Sequence, residues 1–286
     1  MTTTLEPLTE KDEEASSRYA DLGWVTIHYN EMGSGDPVVL LHGGALGANS
    51  WSNFALNIRP LAEHFRVLAM DMPGYGKSST WPGRASMTDN AKAVAGLLDF
   101  LGIERAHVLG NSIGGATAMT FMVDYPDRVK KLIAMGPAPV GQVAWSTPRV
   151  PTEGTRALIA VGSDPSPENW RKFFELFVDD ASLLPEDLLQ KRMDSVNETQ
   201  RLDRLGARPA GGWNRPRSLL EQLRDVETPV LLIQGRNDTV VPPENTLMLM
   251  AYLQKAELHL FNKCGHWAQY EHAERFNRIA LDFLRE

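Results

Sequence analysis

Two rhythms of apolar residues alternate along most of this chain. "WVTIHYNEMG" alternates and ends in a turn, and "SGDPVVLLHGG" follows as a short apolar run. Together they predict an antiparallel hairpin feeding a buried strand. "WSNFALNIRPLAEHF" has its apolar positions at helical spacing, and "RVLAMDMPG" is a short apolar strand ending in Asp71 and a proline turn. "MTDNAKAVAGLLDFLGI" is an amphipathic helix with Gly102 at its end. "RAHVLGN" then predicts a strand, "SIGGATAMTFMVDYP" a helix closed by Pro126, and "RVKKLIAMGP" another strand. Short strands alternating with helices of this length call for a parallel sheet with right-handed crossovers.

The rhythm breaks at Gly136. Up to about Arg217 prolines are frequent and strand-like runs are few, with two helical stretches, "ENWRKFFELFVDD" and "EDLLQKRMDSV". Strands resume at "TPVLLIQG" and "AELHLF", with "PENTLMLMAYLQ" and "AERFNRIALDFLRE" as their helices. The expected organisation is therefore a doubly wound α/β core over residues 23–136 and 218–286, interrupted after about the sixth strand by a helical cap over 137–217. Residues 1–22 read as a loosely docked tail.

Composition narrows the class. A length of 286 residues with 43% hydrophobic positions suits one large packed domain with an insertion. The net charge of −7 carries no long block of like charge and gives no electrostatic case for nucleic acid. No apolar run reaches the length of a membrane helix, and the N-terminal stretch does not read as a signal peptide. The lone cysteine, Cys264, excludes an internal disulfide and fits a reducing, cytoplasmic setting. "NET" at Asn197 matches a glycosylation pattern that an unexported chain would never use.

Candidate chemistry centres on "GNSIG". Gly110, Ser112 and Gly114 fit G-x-S-x-G, and the pattern sits where an apolar strand turns into a helix. That context lifts the hydroxyl over the sheet edge on a tight turn where flanking side chains would collide. Alone, the pattern could be a glycine-rich turn. A serine alcohol is a poor nucleophile without a base, and the base needs a carboxylate to orient it. Of the seven histidines, His266 in "NKCGHWAQ" follows the last strand directly, whereas His259 lies inside that strand and His272 in a helix. Asp238 in "LLIQGRNDTVVP" follows the strand before. Serine, aspartate and histidine in this order, each at the tail of its own strand, are hard to assemble by chance. In "LLHGGALG", Gly43 and Gly44 free backbone N–H groups to face the site, and Gly44 with Ile113 is the natural oxyanion pair. His42 in that turn reads as a structural hydrogen-bonding residue.

Other signals fail. "PGYGKSS" lacks a phosphate loop's first glycine, because Asp71 stands six residues before Lys77. Cys264 and His266 have no companion ligands for zinc, so no metal or organic cofactor is implied. The aromatic residues of the insertion, Trp145, Trp170, Phe173, Phe174 and Phe177, are core or pocket wall.

With these residues in place, the chain resembles the α/β-hydrolase superfamily from about residue 22 to its end. More narrowly, "HGGALGANSWSNF", "DMPGYGKS", "GNSIGGATAM", "YPDRVKKLIAMGP", "LLQKRM" and "KCGHWAQYEHAERFNR" resemble meta-cleavage product hydrolases. These enzymes cut a carbon–carbon bond in ring-opened aromatic compounds. The resemblance implies an acidic 2-hydroxy-6-oxo-hexa-2,4-dienoate as the small-molecule partner and a homodimer or larger assembly. It implies that Arg192 pairs with the substrate carboxylate, that Asn111 and Asn53 hold the polar end, and that Phe177 and Trp267 flank the chain of carbons. Each role has a plainer rival: Arg192 as a solvated charge, Asn53 as a helix cap, Phe177 as core. This chain departs from the family's H-G-G-G-P-G turn at Ala45 and Leu46, and has "MGPAP" where a second glycine pair is common. An esterase or lactonase using the same three residues is the second reading, and a non-catalytic receptor for a small apolar ligand the third.

Overall fold

The computed structural model describes residues 8–79, 85–140, 151–185, 187–199 and 218–286. Trp145, and the parts of the expected tail and cap at 1–7, 141–150, 186 and 200–217, lie outside the described residues.

Helix α1 (Glu10–Ser16) leads into strands β1 (Ser17–Asp21), β2 (Thr26–Met32) and β3 (Pro37–Leu41). Short helices α2 (Ser50–Asn53) and α3 (Ile58–Ala62) precede β4 (Arg66–Met70), and α4 (Met87–Phe100) precedes β5 (Ala106–Asn111). Then come α5 (Ile113–Asp124) and β6 (Val129–Met135). Between β6 and the next strand lie α6 (Glu153–Ser163), α7 (Pro167–Phe177), α8 (Leu188–Thr199) and α9 (Leu219–Gln222). The chain closes with β7 (Val230–Gly235), α10 (Pro243–Met250), β8 (Ala256–Phe261), α11 (Ala268–Glu271) and α12 (Ala273–Arg285). The eight strands form one sheet in the order β1-β2-β4-β3-β5-β6-β7-β8, antiparallel only where β2 meets β1 and β4.

The two-residue period of the central strands divides the core in two. Val39 and Leu41, Leu68 and Met70, Leu132 and Ala134, Val230 and Leu232 pack with α4 and α5 on one face. Val38 and Leu40, Val67 and Ala69, Ile133 and Met135, Leu231 and Ile233 pack with α2, α3 and α12 on the other. A strand apolar at every position needs both faces covered, which the crossover helices provide. Helix α5 is buried from Gly114 to Met122 and has no polar face, so it belongs at the centre.

Three expectations are corrected. The tail is not loose from residue 9 onward: β1 pairs with β2 from Ser17↔Asn30 to Asp21↔Thr26. Asn30 Nδ2, buried in β2, donates to Glu13 O at 2.9 Å and Ser16 Oγ at 2.9 Å, which anchors α1. The hairpin expected between β2 and β3 does not form. Gly33 turns at φ +81° against the backbone of Ala62 and Phe65, and β4 inserts between the two. With Val38 to Leu41 fully buried, β3 needs a partner on each side, and finds parallel β4 and β5. The single helix expected over Trp51–Phe65 is split into α2 and α3. A continuous helix would drive the Pro60 ring into the carbonyl of Leu56, whereas a restart at Ile58 leaves Pro60 in a first turn.

His107, near the start of β5, is buried beside the edge of the Phe65 ring, 5.8 Å between centroids, with Asp36 3.9 Å away. Burial, reinforced by the Lys130 charge, pulls its pKa from 6.5 to about 4. Between those values the unfolded chain takes up a proton that the folded chain refuses, so stability falls as pH drops through that window. Thermal melts at pH 7 to 4.5 should show the wild type losing Tm faster than His107→Gln below about pH 6.5. Parallel profiles would contradict this account of His107.

Candidate active site

Ser112 sits between β5 and α5 at φ +55°, ψ −116°, in backbone space that a side chain rarely occupies. Three backbone bonds hold it there: Ser112 N to Met135 O, Ala116 N to Ser112 O and Ala138 N to Ser112 O, at 2.8, 3.0 and 2.9 Å. The flanking glycines answer to space. A Cβ on Gly110 would strike the Gly114 carbonyl, and one on Gly114 would strike the carbonyls of Leu41 and His42. The elbow is therefore pressed onto the end of β3. At Gly44, just beyond, a Cβ would meet the Ile113 side chain and push its tip aside. As first residue of α5, Ile113 has an N–H with no acceptor inside the helix.

The loops after β7 and β8 bring Asp238 and His266 together. His266 Nδ1 lies 2.7 Å from Asp238 Oδ2, with both side chains buried. Asp238 is held from every side: Val240 N and Val241 N donate to Oδ1 at 2.8 and 2.9 Å, and Gln234 Nε2 donates to Oδ2 at 2.9 Å. Such a carboxylate can neither rotate nor leave the imidazole. His266 Nε2 is buried and has no hydrogen-bond partner among the described residues, so its bond to Ser112 is not formed here. His266 and Ser112 nevertheless line one cavity. Catalytic hydrogen bonds of this kind commonly tighten only when substrate is bound. Gly136 turns at φ +43° so close to this pair that a Cβ would lie 3.0 Å from His266 Nδ1. The end of α7 completes the surround, with His266 N donating to Phe177 O at 2.7 Å and the Phe177 ring edge-on to the imidazole at 5.2 Å.

A buried row of amides lies beside the elbow. Gln269 Nε2 donates to Asn53 Oδ1 at 3.2 Å, and Asn53 Nδ2 to Asn111 Oδ1 at 3.4 Å. Asn111 Nδ2 in turn reaches Met135 O at 3.3 Å. Asn53 is thus no cap; Asn49 caps α2 instead. Arg192, on α8, is 6% exposed and lines the same cavity. Its Nη1 is buried without a hydrogen-bond partner, and no described carboxylate pairs with the guanidinium. Trp267, expected beside the substrate, packs behind Phe177 and is not among the residues that line the cavity. It is 1% exposed, stacks on Tyr270 at 4.5 Å and backs Phe177 at 5.6 Å.

Residues 36–273 match the family model described as alpha/beta hydrolase fold. The chain belongs to the α/β-hydrolase family. Within it, 283 residues are 42% identical to "2-hydroxy-6-oxononadienedioate/2-hydroxy-6-oxononatrienedioate hydrolase 2" of Pseudomonas putida, covering 96% of this chain and 98% of that one. Identity to the "2-hydroxy-6-oxo-6-phenylhexa-2,4-dienoate hydrolase" of Comamonas testosteroni is 39%, over 98% and 100% of the two chains. The solved meta-cleavage product hydrolase of Pseudomonas fluorescens IP01 superposes with a TM-score of 0.81 at 31% identity, over 94% of this chain and 97% of its own. This α/β-hydrolase is therefore a member of the meta-cleavage product hydrolase group.

Three supporting residues escaped the sequence reading. Gln234 holds Asp238, Gln269 holds Asn53, and Glu271 accepts from Gly265 N at 2.9 Å and Asp179 N at 2.6 Å, tying the His266 loop to the exit of α7. Their only signal was proximity in sequence to Asp238 and His266. His42 is structural as expected, with Met72 N donating to its Nε2 at 3.0 Å. Cys264 is buried, and burial together with Glu271 raises its thiol far above reactivity. No group of three or more His, Cys, Asp or Glu residues able to hold a metal occurs among the described residues.

Burial alone lowers the Arg192 pKa from 12.5 to about 10, so the cation persists at neutral pH at a cost of a few kcal/mol. Arg192→Met should raise Tm by several degrees, since an unpaired buried charge is replaced by an apolar chain. The same variant should bind acidic dienoates at least about tenfold more weakly. A marked drop in Tm would mean that the guanidinium holds the fold together instead.

Proposed function

We propose that this chain hydrolyses the C5–C6 bond of 2-hydroxy-6-oxo-hexa-2,4-dienoates, giving a 2-hydroxypentadienoate and a carboxylic acid. The observation that carries the reading is Arg192, a buried cation without a counter-ion among the described residues, in the cavity that Ser112 and His266 line. A protein keeps such a charge where a ligand anion will neutralise it, and the substrates named for the relatives are carboxylates. A planar guanidinium suits bidentate pairing with that group.

In this reading Asn111 and Asn53 hold the 2-oxygen, and His266 moves a proton from it to C5, converting the dienol to a 2,6-dione with a C3=C4 double bond. Ser112, or water activated beside it, then adds to C6, and the resulting oxyanion is held by the N–H groups of Gly44 and Ile113. As the carbonyl at C6 re-forms, the C5–C6 electron pair passes through C3=C4 to the 2-oxygen, which takes a proton. The 2-carbonyl is the electron sink without which C5 could not depart. Asp238 keeps the imidazole oriented and stabilises its cationic form. If Ser112 forms the acyl ester, water releases the acid in a second step.

Ala157 and Val161 of α6 and Trp170, Phe173, Phe174 and Phe177 of α7 pack with Leu46, Val240, Val241 and Trp267 in a third apolar cluster, which supports the role of residues 137–217 as a cap over the reacting atoms. The single reduced cysteine fits the cytoplasm, and family likeness supports a homodimer or larger assembly.

Purified protein mixed with yellow 6-phenyl and 6-methyl dienoates should bleach them, and should turn over nitrophenyl esters more slowly. Ser112→Ala should keep dienoate binding while kcat falls by about 1000-fold or more. Rapid ester turnover with every dienoate persisting would favour the esterase reading.

A further inference from the structure

Among the described residues, the cavity of about 530 Å³ carries a permanent charge at one place. Arg192 is the only lysine or arginine among its described lining residues. The wall formed by α6, α7 and the loops after β6 and β7 is apolar, with Leu158, Ile159, Phe173, Phe174, Ala138 and Val240. Its hydroxyls are already engaged, and the one donor left unpaired among its described residues, Trp170 Nε1, is neutral. Thr155 Oγ1 donates to Val240 O at 2.9 Å, and Ser163 Oγ donates to Ile159 O at 3.0 Å. Leu46, where the family turn has proline, adds an isobutyl group to the same cluster.

We propose that the 6-substituent accepted by this wall is neutral and apolar, an aryl or alkyl group, and that a carboxylate-bearing substituent is rejected. The inference rests on the proposed function, and runs against the more similar relative, whose named substrates are dienedioates. A dienedioate brings two carboxylates. Arg192 neutralises one, and the other would be desolvated against ring edges and methyl groups with no second cation among the described residues, the neutral Trp170 N–H being too weak a partner for a full charge. Leaving a buried charge unpaired costs several kcal/mol, enough for a preference of at least about 100-fold. Ile159 marks the place where the rule can be reversed, since it lines the cavity yet is 54% exposed. A long cation there can reach inward without being buried at its base.

The test compares kcat/KM for 2-hydroxy-6-oxo-6-phenylhexa-2,4-dienoate and 2-hydroxy-6-oxonona-2,4-dienedioate. The phenyl compound should lead by about 100-fold in the wild type. In Ile159→Arg the ratio of the two kcat/KM values should move at least about tenfold toward the dienedioate. Equal or better turnover of the dienedioate by the wild type would overturn the proposal. Binding of both compounds to Ser112→Ala, followed by their absorbance, reads the same preference without chemistry. Tighter phenyl binding there with neither compound cleaved by the wild type would sink the proposed reaction and leave the specificity standing; equal binding would sink the specificity.

Discussion

The contact on which this structure depends is the one between backbone and backbone at the elbow. Gly114 lies against the carbonyls of Leu41 and His42, and Gly110 against Gly114, with no room for a methyl group at either position. This packing fixes β5, α5 and the end of β3 as one unit. It also forces Ser112 to φ +55°, an arrangement that costs of order 1–3 kcal/mol and persists because the surrounding hydrogen bonds determine it. The hydroxyl is delivered to the rim of the sheet beside the half-buried N-terminus of α5. The Gly43–Gly44 turn arrives at the same place because it continues β3. Parallel neighbours β6, β7 and β8 then send their following loops to that rim, bringing Gly136, Asp238 and His266 within reach.

The fold shows that residue types alone do not make such a site. Ser17 Oγ lies 2.9 Å from His28 Nε2, and His28 Nδ1 lies 2.8 Å from Asp71 Oδ2. The three side-chain types are the same, but His28 and Asp71 are buried, neither lines the cavity, and no helix begins at the serine. Burial would raise the Asp71 carboxyl; the His28 hydrogen bond, the charges of His28 and His42 and the N–H of Lys77 together bring it below the usual range. Asp71 also accepts from Ser50 N at 2.8 Å. This second group is a structural clamp joining β2, β4 and α2. What distinguishes Ser112 is its turn, its free N–H neighbours and the space in front of it.

Much of this was legible in the sequence because it is local. Strand runs, helix periods and G-x-S-x-G describe what a few consecutive residues must do, and loops that follow parallel strands share one rim by topology. The order β1-β2-β4-β3 was not legible, because it turns on Gly33 meeting the backbone of Ala62 and Phe65, a contact without a sequence period. The docking of α1 was hidden for a related reason: it depends on Asn30, a polar residue whose partners lie in α1 itself. Trp267 follows His266 in sequence, and only the path of the tight loop after β8 shows that it turns into the cluster behind Phe177. Arg192 had the weakest sequence signal of the site residues, and its burial without a counter-ion among the described residues gives it the clearest physical one.

The proposed function needs two things at once: a strained elbow that would present a nucleophile, and a buried cation that would draw an anion to it. A crystal structure of Ser112→Ala with bound 2-hydroxy-6-oxo-6-phenylhexa-2,4-dienoate tests their union most directly. The substrate carboxylate should lie within about 3 Å of the Arg192 guanidinium and the 6-keto oxygen within hydrogen-bond reach of Gly44 N and Ile113 N. A dienoate whose carboxylate points to solvent, with its 6-keto group away from residue 112, would contradict the account.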